Sequence, residues 1–87
     1  MQLLLMTVVV LYFAALRELL GTSEETISGL PSPLGVRQLA ERLAQRHPRL
    51  VPHLGSVRFA VNETFVNMSA EIVDGDTIAL IPPVSGG

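Results

Sequence analysis

Apolar and polar positions alternate through the first stretch of the chain. From Met6 to Phe13, Val8, Val10 and Tyr12 share one face and Thr7, Val9, Leu11 and Phe13 the other. Such a density of β-branched and aromatic residues predicts a strand in the middle of a sheet, with the first face in the core. Phe13 then lies at the outer end of the strand, either as a satellite core residue or as part of a docking surface. Ala14 to Leu20 supplies two turns of good helix formers, and Gly21 the positive-φ residue that ends them. Thr26-Ile27-Ser28 predicts an edge strand hairpinned back on the first, followed by a Gly/Pro/Ser-rich linker from Gly29 to Pro33.

The main helix is predicted from about Pro33 to Arg46, with Ser32 as N-cap and Pro33 as first helical residue. Val36, Leu39, Ala40 and Leu43 form its buried stripe, and Arg37, Glu41, Arg42, Gln45 and Arg46 its wet face. Pro48 stops it by disfavouring helical geometry at His47. After a turn through Pro52 and Gly55, Val57, Phe59 and Val61 alternate with Arg58 and Ala60 as a half-buried strand. Asn62-Glu63 turns the chain, and Phe65-Val66 pairs briefly beyond it. Asp74-Gly75-Asp76 reads as a solvated turn. In the last strand, Thr77 to Ile81, Ile78 and Leu80 point inward while Thr77, Ala79 and Ile81 face out. Outward Ile81 is expected to join Phe13 and Phe65 in an apolar patch on the sheet face.

This order of elements predicts an α+β fold, a mixed sheet wrapped on one main helix with the first and last strands as parallel neighbours at its centre. A β-grasp arrangement fits, and a ferredoxin-like layout fits the periodicity almost as well. Residues 1–81 are expected to form the domain and 82–87 an extended tail.

The tail, Pro82-Pro83-Val84-Ser85-Gly86-Gly87, changes the picture from fold to chemistry. Pro82 and Pro83 lack the N–H that would continue a ladder, so the chain is expected to leave the sheet there. Gly86 and Gly87 carry no side chains, which lets a terminal carboxylate be threaded down a narrow channel and attacked without obstruction. Its six residues can reach roughly 20 Å, enough to enter a partner's active site. A frayed terminus is the bland alternative.

Composition narrows the function classes. Eighty-seven residues make one domain with little room for a deep pocket. Hydrophobic residues are 48% and charged residues 16%, an apolar balance that suggests exposed surface kept for a partner. Six arginines stand against eight acids with no lysine, and no basic cluster suits a nucleic-acid backbone. Without cysteine there is no disulfide, thiolate metal site or cysteine nucleophile. His47 and His53 match no zinc spacing and read as surface or turn residues. Ser85 has no adjacent histidine base, and no phosphate-binding loop is present. The apolar start runs into Arg17-Glu18 short of a bilayer's thickness and lacks a basic leader, so no membrane span is expected and the cytoplasm is the default.

Four segments together carry a family resemblance: Val10-Leu11-Tyr12-Phe13-Ala14, Arg17-Glu18-Leu19-Leu20-Gly21, Phe59-Ala60-Val61-Asn62, and Asp74-Gly75-Asp76-Thr77-Ile78-Ala79 through to Pro82-Pro83-Val84-Ser85-Gly86-Gly87. They resemble, in order and over nearly the whole chain, the small sulfur-carrying subunit of molybdopterin synthase. The C-terminal motif is its specific part. The resemblance implies a ubiquitin-like β-grasp fold and decides between the two layouts above. It implies that Gly87, with Gly86 beside it, is adenylated and then thiocarboxylated by an E1-like adenylyltransferase/sulfurtransferase that binds the ATP. It implies donation of sulfur to cyclic pyranopterin monophosphate in the pocket of a large catalytic subunit, two small subunits sitting at the ends of a dimer of large ones. No cofactor or metal is expected on this chain itself. Partner contact is expected at Phe13, Phe65 and Ile81 and along Pro82, Pro83, Val84 and Ser85. A carrier for thiazole or tRNA thiolation, or a ubiquitin-like modifier or interaction module, fits many of the same residues.

Overall fold

The computed structural model describes residues 4–83. Strand β1 (Leu5–Tyr12) leads through a short helix α1 (Ala15–Leu20) to β2 (Glu24–Pro31), and β3 (Leu34–Gly35) leads directly into the main helix α2 (Val36–Arg46). A 3₁₀ helix (Pro48–His53) precedes β4 (Arg58–Val61), β5 (Thr64–Val66), β6 (Glu71–Ile72) and β7 (Thr77–Ile81). The main sheet runs β2-β1-β7-β4-β5, and β3 and β6 form a separate small ladder. β1 and β7 pair in parallel, Val9 with Thr77 through Tyr12 with Leu80, while β2, β4 and β5 run antiparallel to their neighbours. This is the expected mixed sheet on one helix, with the first and last strands adjacent at its centre.

The core lies between the sheet and α2. Val8, Val10 and Tyr12 of β1, and Ile78 and Leu80 of β7, are buried against Val36, Leu39, Ala40 and Leu43 of the helix. A two-residue period on the strands and a helical period on α2 converge on one apolar layer. Each fully buried aliphatic side chain contributes roughly 1.5–3 kcal/mol. Leu50, projecting from the 3₁₀ helix, is buried with them. Among the described residues, no helix is long and apolar enough to cross a membrane.

The entry to α2 departs from expectation. The segment read as a linker is mostly strand, since β2 continues to Pro31, and the helix begins at Val36 rather than Pro33. Leu34 explains the delay, because its side chain is drawn into the core and its backbone pairs with Ile72. The cap is Gly35, not Ser32: its N–H donates to Gln38 Oε1 at 2.6 Å, satisfying the chain at the helix start from one turn inside. A Cβ at position 35 would meet that oxygen at 2.7 Å, so a side chain there would push the flexible end of Gln38 aside and disturb this bond.

Two polar clusters hold the frame, and both correct the sequence reading. His47 sits at the turn between α2 and the 3₁₀ helix, as expected, but is half-buried: its Nε2 lies 2.7 Å from Glu25 Oε1, and its ring meets Tyr12 edge-on with centroids 5.9 Å apart. Tyr12 donates its hydroxyl to the same carboxylate oxygen, and Arg46 Nε donates to the other at 3.2 Å. Edge strand β2 is thereby tied to the C-terminal end of α2. Burial alone would raise the Glu25 carboxyl, but hydrogen bonds from Tyr12 and His47, with the charges of His47 and Arg46, outweigh it and hold the group below its ordinary value. Burial, then the bond to Glu25, push the Tyr12 phenol well above its ordinary value.

The second cluster joins the two turns beside β7. Asp76 is only 6% exposed and not solvated as expected. Its Oδ1 accepts from Asn62 Nδ2 at 2.9 Å and its Oδ2 from the Val73 N–H at 2.8 Å, while Asn62 Oδ1 accepts from the Thr77 N–H at 3.0 Å. Asp74 stays exposed, accepting from the Thr7 N–H at 2.7 Å. Asp76→Ala removes two bonds to a carboxylate and leaves the Val73 N–H without that acceptor, so a loss of about 2–4 kcal/mol is expected in urea unfolding. A loss as small as that of Asp74→Ala would contradict the assignment. Glu25 generates a pH prediction. Because its folded value is lowered, its stabilisation is present above the ordinary value of 4.5 and is lost as pH falls through the folded value. Urea midpoints should fall less between pH 5 and about pH 3 in Glu25→Gln than in the parent protein; parallel acid limbs would contradict this.

Candidate functional site

The face of the sheet turned away from α2 is built by the other half of each strand's alternation. Rows cross it in register: Leu11 opposite Ala79, Ala79 opposite Ala60, and Ala60 opposite Phe65, with Ile81 opposite Arg58 in the next row. Cross-strand partners share a face, so these side chains form one surface. Ala60 and Ala79 are small and make a low floor. Around them stand Leu11, Phe13, Phe65 and Ile81, and the result is an open apolar groove of about 500 Å³.

Local chemistry sets each wall. Phe13 lies one residue beyond β1, where its N–H donates to the Leu80 carbonyl at 3.2 Å and keeps it beside β7. Ala14 follows at φ 51°, a sharp exit that turns the chain into α1. Asn62 and Glu63 take φ of 49° and 70°, the two left-handed residues of a tight hairpin whose twist suits its strands. That turn pairs Val61 with Thr64 and so places Phe65 across from Ala60. Phe13 and Phe65 remain 45% and 50% exposed, an unusual state for two phenylalanines in a domain with a full core on the opposite face. The alternatives left open for Phe13 therefore resolve toward the groove wall.

Charge is sparse here. The Arg58 guanidinium lies over the Phe65 ring, 3.8 Å from its centre, and Glu63 borders the groove at the hairpin. Arg58 was legible as an outward residue of β4 by alternation alone, but its stacking on Phe65 depends on a cross-strand register that no local pattern encodes. Among the described residues, no group of three or more His, Cys, Asp or Glu side chains is placed to hold a metal ion.

The groove opens at the end of β7, where the tail begins. Ile81 forms its wall, Pro82 is half-buried and Pro83 exposed. Val84, Ser85, Gly86 and Gly87, the remaining candidate residues, lie outside the described residues. Phe13, Phe65 and Ile81 thus share the outer face of the sheet around the end of β7, where Pro82 begins.

Residues 10–87 match the ThiS family. The human molybdopterin synthase sulfur carrier subunit is 40% identical over 81 residues, covering 90% of this chain and 91% of the human one. Among solved structures, the small archaeal modifier protein 1 from Methanosarcina acetivorans superposes with a TM-score of 0.80 at 27% identity, covering 97% of this chain and 99% of that one. The Helicobacter pylori complex of subunits 1 and 2 of molybdopterin-converting factor contains a chain that matches with a TM-score of 0.68 at 28% identity, covering 94% of this chain and all of that one, 100%. With most of its length matched and the β-grasp sheet in place, the chain belongs to the ThiS family, alongside the molybdopterin synthase sulfur carrier subunits.

Proposed function

We propose that this chain is the sulfur-carrier subunit of molybdopterin synthase. The observation that carries the reading is the apolar groove of Phe13, Phe65 and Ile81 at the root of a tail whose sequence is Pro-Pro-Val-Ser-Gly-Gly. A domain with its core on one sheet face and an unfilled apolar surface on the other is suited to docking. The large catalytic subunit is the proposed occupant, in line with the two-subunit complex of the Helicobacter pylori relative.

The chemistry resides in Gly87. Its carboxylate attacks the α-phosphate of ATP on an E1-like partner, forming an acyl-adenylate and releasing pyrophosphate. The terminal sulfur of a persulfide then displaces AMP from the carbonyl carbon, and a second thiol cleaves the resulting S–S bond to leave the thiocarboxylate. Gly86 and Gly87 keep that carbon clear of side chains, and Pro82 to Ser85 span the distance into the large subunit's pocket. There the sulfur displaces an oxygen of cyclic pyranopterin monophosphate, water cleaves the resulting thioester to leave the sulfur on the pterin and restore the Gly87 carboxylate, and basic groups of the partner hold the anionic tail and substrate. The chain needs no cofactor of its own. The cytoplasm is the proposed compartment, since activation consumes ATP.

A second reading is favoured by the likeness to the archaeal modifier: the activated Gly87 is joined to lysines of other proteins. Intact mass after incubation with ATP, an E1-like enzyme and a sulfur donor separates the two. Exchange of one oxygen for sulfur at Gly87, followed by sulfur transfer to the pterin with the large subunit, is the expected result. Isopeptide adducts without sulfur transfer would sink the carrier reading. Deleting Gly87 should abolish transfer while leaving the docked complex intact. Phe65→Asp or Ala79→Leu, which charges or fills the groove, should weaken docking by at least about tenfold, roughly 1.4 kcal/mol, with unchanged urea midpoints; unchanged affinity would place the interface elsewhere.

A further inference from the structure

We infer that Arg58 is the charged key of the docking face, receiving a carboxylate of the large subunit beside the root of the tail and so fixing which way round that partner sits. The inference rests on the sulfur-carrier reading and names the chemistry the face selects.

The chain has six arginines and no lysine. Arg17, Arg37, Arg42 and Arg46 belong to α1 or α2 and Arg49 to the 3₁₀ helix, so Arg58 alone stands on a strand. Phe59, its neighbour, is turned into the core, which directs Arg58 to the outer face. There it sits across from Ile81, the last residue of β7, with its guanidinium against Phe65. Stacking holds the planar group against an apolar wall while its N–H donors, which lie in that plane, stay free to bond edge-on. Among the described residues, no carboxylate lies within ion-pair distance of it.

A partner that covers Phe65 also strips water from Arg58. A desolvated guanidinium left without an acceptor is heavily penalised, and a bidentate carboxylate is the acceptor that fits its fork. Elsewhere the same face is acidic. Glu63 borders the groove, and Glu24, cross-strand from Leu11, stands on the opposite margin. A partner docked in reverse, or slid along the groove, would bring its acid toward Glu63 or Glu24. One cation and two anions around an apolar floor give the surface a direction, and mismatched charge excludes the wrong registers.

The test uses the full-length chain and its large subunit in isothermal titration at low and physiological salt. Absence of any complex would overturn this inference and the carrier reading together. Given a complex, Arg58→Met, which keeps an apolar stem over Phe65, should weaken binding at least about tenfold, and Arg58→Glu at least about a hundredfold. The salt dependence of Kd should flatten in Arg58→Met. Arg58→Lys, which keeps the charge and loses the fork, should fall between Arg58→Met and the parent, and serves in its place should Arg58→Met not stay folded. A lysine substitution at one carboxylate of the large subunit should restore binding to Arg58→Glu. Affinity of well-folded Arg58→Met within about threefold of the parent, or failure of every charge reversal to restore binding, would overturn the inference and leave the carrier reading standing.

Discussion

The parallel pairing of β1 with β7 is the constraint on which the rest depends. It joins the two ends of the domain, setting Val9 to Tyr12 beside Thr77 to Leu80. Both strands are central, so neither has an open edge, and each contributes residues to both faces of the sheet. Inward, Val10, Tyr12, Ile78 and Leu80 bury against α2; outward, Leu11 and Ala79 line the groove. A contact between strands so far apart in sequence forms only after a costly loop closure. The groove draws its lining from β1, β4, β5 and β7 and exists only with these strands in register, and Pro82 follows a strand held on both sides.

The turns around β7 serve this pairing. Asn62 and Asp76, brought together by the β4–β7 register, convert two loops into one hydrogen-bonded unit at the end of the sheet opposite the tail. The Val9 N–H donates to the Asp76 carbonyl at 3.0 Å and the Gly75 N–H to the Thr7 carbonyl at 2.8 Å, so the same unit grips β1. Gly75 adopts φ 86°, a conformation that a side chain would strain. At its other end β7 is held by the Phe13 N–H on the Leu80 carbonyl and by the pairing of Ile81 with Arg58, so Pro82 leaves from a fixed strand.

Much of this arrangement is legible in the residues because it is local or periodic. Alternation along β1 and β7 and the helical stripe of α2 assign inward and outward faces, and Asn62-Glu63 declares its turn. Phe13, Phe65 and Ile81 are readable as outward residues for the same reason. What escapes a linear reading is decided by contacts between distant segments. Ser32-Pro33 has the chemistry of a helix start, yet Leu34 is claimed by Ile72 and the core, and the start moves to Gly35. Asp76 has the look of a solvated turn residue until Asn62 is placed beside it. His47 gains its role only when β2 brings Glu25 to the end of α2. The chemistry proposed for the tail rests on composition, because Gly86 and Gly87 enter it for what they lack.

Division of the sheet into two faces also explains how so small a chain can take part in demanding chemistry. A domain of 87 residues buries too little surface to enclose a substrate pocket as well as a core. Here the inner face is committed to α2, and the proposed docking falls on side chains that the core does not use. Phe13 and Phe65 are half-exposed and contribute little to the core cluster, so altering them need not disturb it. The proposed reactive carbon is placed further still, at Gly87, at the end of a six-residue segment that could span roughly 20 Å if fully extended. On this proposal, stability, docking and chemistry divide among the core, the outer face and the tail, and the end of β7 is where the sheet hands over to Pro82.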